Sequence, residues 1–258
     1  MEEVMTVLAH QLDRTLTIAA PPDAVFRYFT DTDRWAAWWG AGSTIDPRPG
    51  GRVLVRYPGG VEALGEVLEI DPPRRIVFSY GYASGTPVPP GGSRVTIQLA
   101  PAGKGTRLHL MHELSDASVR DEHVQGWRYQ LSVFANVVAN DLHGDTAALV
   151  DRWFAAWSDT NAETRTRELA EIAAPDVTMH DRFSCVAGAD ELTLHVGAAH
   201  RFMPGMRMQR EGTVRHCQGV VLADWNAVGP DGQSRGRGTN VFTLAPDGKI
   251  ESVTGFWQ

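Results

Sequence analysis

The spacing of apolar residues changes period once in the first half of this chain, and that change limits the folds open to it. From Leu12 to Ile18 the apolar Leu12, Leu16 and Ile18 share one parity, and Asp13, Thr15 and Thr17 the other. This is the alternation of a strand with one buried face. Strand-like runs recur at 52–57, 61–70, 75–80, 94–99 and 106–114. Turn formers separate them: Pro58-Gly59-Gly60, Asp71-Pro72-Pro73, the Pro- and Gly-rich stretch 85–92, and Gly103-Lys104-Gly105. Then Val124, Trp127, Leu131, Phe134 and Val138 fall at steps of three and four, one stripe of a helix over about 118–140. Ser118 with Asp121 is expected to cap it. A helix of that length spans ~30 Å and can lie across a bent antiparallel meander. Where the sheet curves away from the helix, a cavity for a ligand remains. Before the meander, Pro21-Pro22-Asp23 opens a short helix carrying Val25, Phe26 and Phe29, and a Trp35…Trp38-Trp39-Gly40 cluster follows.

A polar break at 140–145 ends this pattern, and Asp145 is expected to cap a new helix with Leu149, Val150, Trp153, Phe154 and Trp157 on its apolar face. A second helix is expected at 162–173, ended by Pro175, then a strand at 177–183 and a third helix at 190–202. Strands near 206–217, 220–228, 235–244 and 250–257 complete the chain, with turns at Gly229-Pro230-Asp231-Gly232 and Asp247-Gly248. The reading is α+β in two domains, 1–143 and 144–258: an antiparallel sheet with a long C-terminal helix, then three helices with a curved antiparallel sheet. The differing element order rules out an internal repeat.

Composition narrows the function. The chain has 258 residues, 43% hydrophobic and 21% charged, ordinary for a folded protein of two domains. Its net charge is −7, and both halves are net negative when divided at His143. General binding to nucleic acid is therefore not expected. No apolar run approaches the ~18–20 residues of a membrane span. The acidic start Met1-Glu2-Glu3-Val4-Met5 is unlike a secretory signal, so a cytoplasmic protein with no membrane partner is expected. Cys185 and Cys217 are far apart, without a zinc or redox spacing, and His195 and His200 are five apart on a helix, so no metal and no cofactor are expected. There is no P-loop, dinucleotide fingerprint or nucleophile elbow.

The residue richest in chemical meaning is Asp181. In 177–183 the parity of Val177, Met179, Asp181 and Phe183 opposes that of Thr178, His180 and Arg182. A carboxylate on an apolar strand face is costly unless paired or hydrated. Desolvation would lift its pKa toward neutrality, where it could take a proton from a carbon acid. Pairing with an arginine, or a bulge that offsets the faces, is the alternative. His112 shares the parity of Leu108, Leu110 and Leu114. It points at the long helix either as a core residue held by a hydrogen bond or as a polar anchor in the first cavity. Glu62 and Glu66 share a strand face that is expected to be exposed. Of eight tryptophans, Trp38, Trp39 and Trp127 lie near the first expected cavity, and Trp153, Trp225 and Trp257 near the second.

Residues 12–140 resemble the helix-grip (START-like, SRPBCC) superfamily, in the branch named for the activator of the heat-shock chaperone ATPase. The resemblance rests on Leu16-Thr17-Ile18, Pro21…Val25-Phe26, Trp38-Trp39-Gly40, Gly50-Gly51, 65–70 with Pro72-Pro73-Arg74, His112-Glu113-Leu114 and His123…Gly126-Trp127. Residues 145–258 resemble the SnoaL-like branch of the nuclear-transport-factor-like fold, a conical α+β domain. Here the matching residues are 153–157, Pro175-Asp176-Val177…Asp181, 188–192, Pro204-Gly205-Met206, Trp225, 231–232, Gly238-Thr239-Asn240 and 247–250. That fold hosts isomerases, polyketide cyclases, dehydratases and binding modules. The resemblance sets Asp181 at the general-base aspartate, Asn240 where an oxyanion-hole acid stands, and Trp153 where a tyrosine donor stands. An amide or indole N–H donates less effectively than a neutral acid or phenol, so cyclisation, dehydration or isomerisation of a polyketide-like molecule is expected rather than steroid chemistry. The expected substrate-binding residues are Phe183, Trp225, Trp257 and His180 in the second domain, and Trp39, Tyr80, His112 and Trp127 in the first. The expected partners are a hydrophobic small molecule and, through an open sheet face, a second copy. A ligand-binding or chaperone-associated module without catalysis is the alternative.

Overall fold

The computed structural model describes residues 7–258, so the acidic N-terminal pentapeptide lies outside the described residues. The chain divides into two compact units, Met1–Val138 and Ala139–Gln258.

The first unit begins with β1 (His10–Ile18), α1 (Pro22–Phe26), a single 3-10 turn, α2 (Thr32–Trp39) and the short β2 (Thr44–Ile45). It continues through β3 (Arg52–Arg56), β4 (Glu62–Asp71), β5 (Arg75–Tyr82), β6 (Ser93–Ala102) and β7 (Gly105–Leu114) into α3 (Ala117–His143). Seven antiparallel strands run in the order β1-β7-β6-β5-β4-β3-β2, so the first strand closes against the last. The alternation within β1 is observed, with Leu12 and Ile18 buried. Leu131, Phe134 and Val138 of α3 are buried as the stripe predicts, while Val124 is only half-buried. The helix is capped by Asp116 rather than by Ser118: Asp116 Oδ1 accepts from the backbone N–H of Ser118 at 2.8 Å and of Val119 at 3.1 Å. The tryptophan cluster is itself a helix, α2, capped by Asp31, which accepts from the Arg34 N–H. Its turns drive Trp35 and Trp38 into the core against Phe29, Phe78 and Phe134. Each indole there is matched to a carbonyl, Trp35 to Leu54 and Trp38 to Tyr28, which removes the cost of burying a donor. Close strand approach fixes Gly65, where a Cβ would stand 1.7 Å from the Ser79 carbonyl oxygen.

The second unit contains α4 (Thr146–Ser158), α5 (Ala162–Ile172), β8 (Ala173–His180), β9 (Cys185–Ala187) and α6 (Ala189–Phe202). The strands β10 (Arg207–Cys217), β11 (Val220–Val228), β12 (Ser234–Leu244) and β13 (Ile250–Trp257) follow. Asp145 caps α4 as its sequence position implies, accepting from the Ala148 N–H at 3.0 Å. The sheet has six strands, β10-β11-β12-β13-β8-β9, and β13 pairs with β8 in parallel. That order places the C-terminal end of β8 beside the end of β13. Two details differ from the sequence reading. Pro175 lies inside β8 instead of stopping the preceding helix, and β8 ends at His180, where a four-residue turn leads to β9. The core packs Trp153, Phe154, Leu192 and Val196 from the helices against Phe242, Ile250 and Val253 from the sheet.

Candidate functional site

Each unit holds a cavity. In the second, β8, β12, β13, α4 and α6 converge on a space of about 70 Å³ walled by Met179, Asp181, Trp153, Asn240, Trp225 and Trp257. Met203, Met206, Met208, Trp157 and His200 close the other side. Asp181 is half-buried in the turn after β8, not on its face. Its Oδ1 accepts from the Phe183 N–H at 2.7 Å, a local turn that bends the chain. Its Oδ2 accepts from the Trp257 indole at 3.2 Å. Asn240 is 5% exposed, and its Oδ1 accepts from the Trp225 indole at 2.9 Å. Because an indole N–H can only donate, that contact fixes the amide and leaves its NH₂ as the donor. The two side chains flank Gly255: a Cβ there would sit 3.0 Å from Asp181 Cβ and 3.2 Å from Asn240 Oδ1. A tryptophan- and methionine-lined space therefore has a carboxylate acceptor and an amide donor on one wall, the pair a proton transfer with charge stabilisation needs.

Five of the residues singled out in the sequence for this unit, Asp181, Asn240, Trp153, Trp225 and Trp257, meet there. Two do not. Phe183 is 67% exposed and meets Trp257 edge to face without lining the cavity, and His180 is exposed. The Phe183 assignment assumed that the strand ran on to residue 183; because the chain turns at Asp181, that parity is lost, whereas His180 stands within β8 on the face opposite Val177 and Met179. Trp257 acts first on Asp181, through its indole. His200 was considered only as half of a metal pair. It lines the cavity, hydrogen-bonds the Trp157 backbone, and its Nε2 is buried without a partner among the described residues. Burial, then the nearby Arg165 charge, pushes its pKa down. His195 instead meets Ser184 at 2.8 Å. Among the described residues no group of three or more His, Cys, Asp or Glu is arranged to hold a metal.

The cavity of the first unit is far larger, about 770 Å³, between α3 and the concave side of the sheet. Trp39, Tyr80 and Trp127 line it, as expected, with Tyr57, Tyr82 and His123. His112 does not. It is fully buried behind Trp127, which donates to its Nδ1 at 2.9 Å, while its Nε2 meets Ser93 Oγ at 2.8 Å. Ser93 in turn donates to the Tyr80 carbonyl. The accepting Nδ1 fixes the tautomer with hydrogen on Nε2. Burial, with the neighbouring His123 adding to it, pushes the His112 pKa down to about 3. His112 is thus the buried, hydrogen-bonded histidine of the core reading, and it holds Trp127 in place. Tyr57 and Tyr82 stand at the ends of strands, where periodicity carries no sign of what they face.

Residues 19–139 match the family model of the activator of Hsp90 ATPase homolog 1-like protein, and residues 150–253 match that of the SnoaL-like domain. No curated protein matches the sequence. Solved structures resemble one unit at a time. An AHSA1-like protein from Rhizobium etli is 36% identical over 50% of this chain and 82% of its own, with a TM-score of 0.42. CalU16 from Micromonospora echinospora is 26% identical over 53% of this chain and 83% of its own, with a TM-score of 0.43. A SnoaL-like family protein from Agrobacterium tumefaciens is 25% identical over 43% of this chain and 96% of its own, also with a TM-score of 0.43. The chain is a fusion of an AHSA1-type, START-like domain at 19–139 with a SnoaL-like domain at 150–253.

Proposed function

We propose that this protein binds a hydrophobic small molecule and that its second unit carries out acid–base chemistry on such a molecule, of the cyclase, isomerase or dehydratase type. The observation that carries the chemistry is the meeting of Asp181 and Asn240 on one wall of a cavity lined chiefly by tryptophan and methionine. Asp181 takes a proton from a carbon acid. The Asn240 amide donates to the oxygen on which charge develops, with Trp153 shaping the wall. Nitrobenzisoxazole tests this without knowledge of the substrate. Loss of its ring C–H proton to a base breaks the N–O bond and releases a coloured phenolate. The wild-type chain is expected to accelerate that reaction, and Asp181→Asn to lose about a hundredfold or more of the acceleration with unchanged thermal unfolding. Turnover that is indifferent to Asp181→Asn would refute the assignment.

A second reading, ligand binding without conversion, draws support from the relative volumes. The first cavity, at about 770 Å³, falls within the range of small-molecule sites, ~300–1,000 Å³. The second holds about 70 Å³, so a multi-ring substrate needs Met203, Met206 and Met208 to move aside. Ligand affinity insensitive to Asp181→Asn, with no product formed, distinguishes this reading. A cytoplasmic location and homodimerisation belong to the same proposal, and light scattering on the purified chain tests the latter.

A further inference from the structure

The loop that carries Asp181 is held from two sides. Residues 181–184 join β8 to β9, and two backbone hydrogen bonds close the loop on itself. The Asp181 N–H donates to the Ser184 carbonyl at 3.0 Å, and the Ser184 N–H donates to the Asp181 carbonyl at 3.4 Å. With the Phe183 N–H on Asp181 Oδ1, these bonds give the loop its shape. Side chains at its two ends add the contacts that seat it. At one end Trp257 of β13 donates to Asp181 Oδ2. At the other, Ser184 Oγ is hydrogen-bonded to His195 Nε2 of α6 at 2.8 Å. Arg182 and Phe183, between them, are exposed, whereas Ser184 is only 9% exposed.

His195 is itself fixed. It neighbours Val196, which α6 buries in the core. Its ring stands 5.8 Å from that of Trp157, inclined by 70°, and Trp157 stands 6.0 Å from Trp153. Both tryptophans line the cavity. A run of contacts therefore passes from the helical wall through His195 and Ser184 to the loop that bears the carboxylate. A buried hydroxyl is costly to leave unpaired, so the imidazole both satisfies Ser184 and pins it. Because the two backbone bonds join Ser184 to Asp181, a displacement of Ser184 carries Asp181 with it. Neither Ser184 nor His195 is among the residues that line the cavity, so their influence on a ligand passes through Asp181. Proton abstraction is sensitive to seating: a misplacement of ~1 Å costs on the order of a hundredfold in rate.

Resting on the reading that Asp181 is the base, we propose that Ser184 and His195 form a positioning pair that sets the Asp181 carboxylate against the substrate. The test follows nitrobenzisoxazole turnover by the full chain, with thermal unfolding recorded beside it and rates taken well below every midpoint. Ser184→Ala removes the hydroxyl. His195→Phe removes the hydrogen bond and keeps a ring against Trp157. Each is expected to lower kcat about tenfold and leave KM within about twofold, because the substrate's own contacts are untouched. The double variant is expected to lose no more than either single one, since the two act as a unit. His195→Gln, whose amide reaches as far as the imidazole Nε2, is expected to recover most of the rate that His195→Phe loses. Three results would overturn the positioning role while Asp181→Asn still loses its turnover. They are single variants that keep the wild-type kcat, losses that multiply in the double variant, or a His195→Gln no better than His195→Phe. If turnover does not depend on Asp181 at all, the base reading falls and the positioning role falls with it.

Discussion

Asp181 owes its position to residues far along the chain. Its own turn supplies one hydrogen bond, from the Phe183 N–H, but the second comes from Trp257, 76 residues later. The parallel pairing of β8 with β13 brings the two together. Gly255 is the silent member of the group, since any side chain there would press on both Asp181 and Asn240. Gly255→Ala is expected to cost ~1–3 kcal/mol by overpacking and to lower nitrobenzisoxazole turnover more than stability alone explains. Urea unfolding measured beside the rate separates the two effects. Full retention of rate would show that the carboxylate needs no such exact seating.

At the scale of the element, α3 does two jobs. Its stripe of Leu131, Phe134 and Val138 closes the core, while His123, Gly126 and Trp127 roof the cavity. Gly126 is in mid-helix, and a Cβ there would meet nothing within 4 Å. Gly126→Ala should therefore stabilise the helix by ~0.5–1 kcal/mol, read as a higher denaturant midpoint. Gly126→Leu should keep that gain but fill the cavity beneath, so that a neutral ring probe such as naphthylmethanol no longer binds there. Binding that survives Gly126→Leu would move the ligand elsewhere. The stripe was legible because helical spacing is local; the missing α2 was not, because a run of tryptophans reads equally as strand or helix until the Asp31 cap is recognised.

For the whole molecule, stability carries the mark of its buried histidines. His112 is held neutral down to about pH 3 by burial, whereas in the unfolded chain it titrates at its ordinary 6.5. Between those values the unfolded state binds the extra proton, so stability is fully present above about pH 6.5 and is lost as pH falls toward 3. His143, His200 and His216 are shifted in the same direction, each chiefly by burial. The expected slope below pH 6 is at least ~1.4 kcal/mol per pH unit, measured by denaturant titrations across that range. A stability flat from pH 7 to 4 would contradict the buried, neutral state of His112.

What the sequence determined by itself was everything set by neighbours along the chain. The two apolar periods, the α+β order, the Asp145 cap and the glycine turns follow from backbone geometry within a few residues. Asp181, Asn240, Trp39 and Trp127 were legible as candidates because their type or motif position marked them. Only the tertiary structure decided that β8 stops one residue short of Asp181, that Phe183 turns outward, and that His112 is sealed behind Trp127. It alone paired the hydroxyls of Tyr57 and Tyr80 and set Tyr82 against His123. Each of these depends on hydrogen bonds and close packing between residues tens of positions apart, and strand periodicity fixes which side a residue takes without saying what stands opposite it.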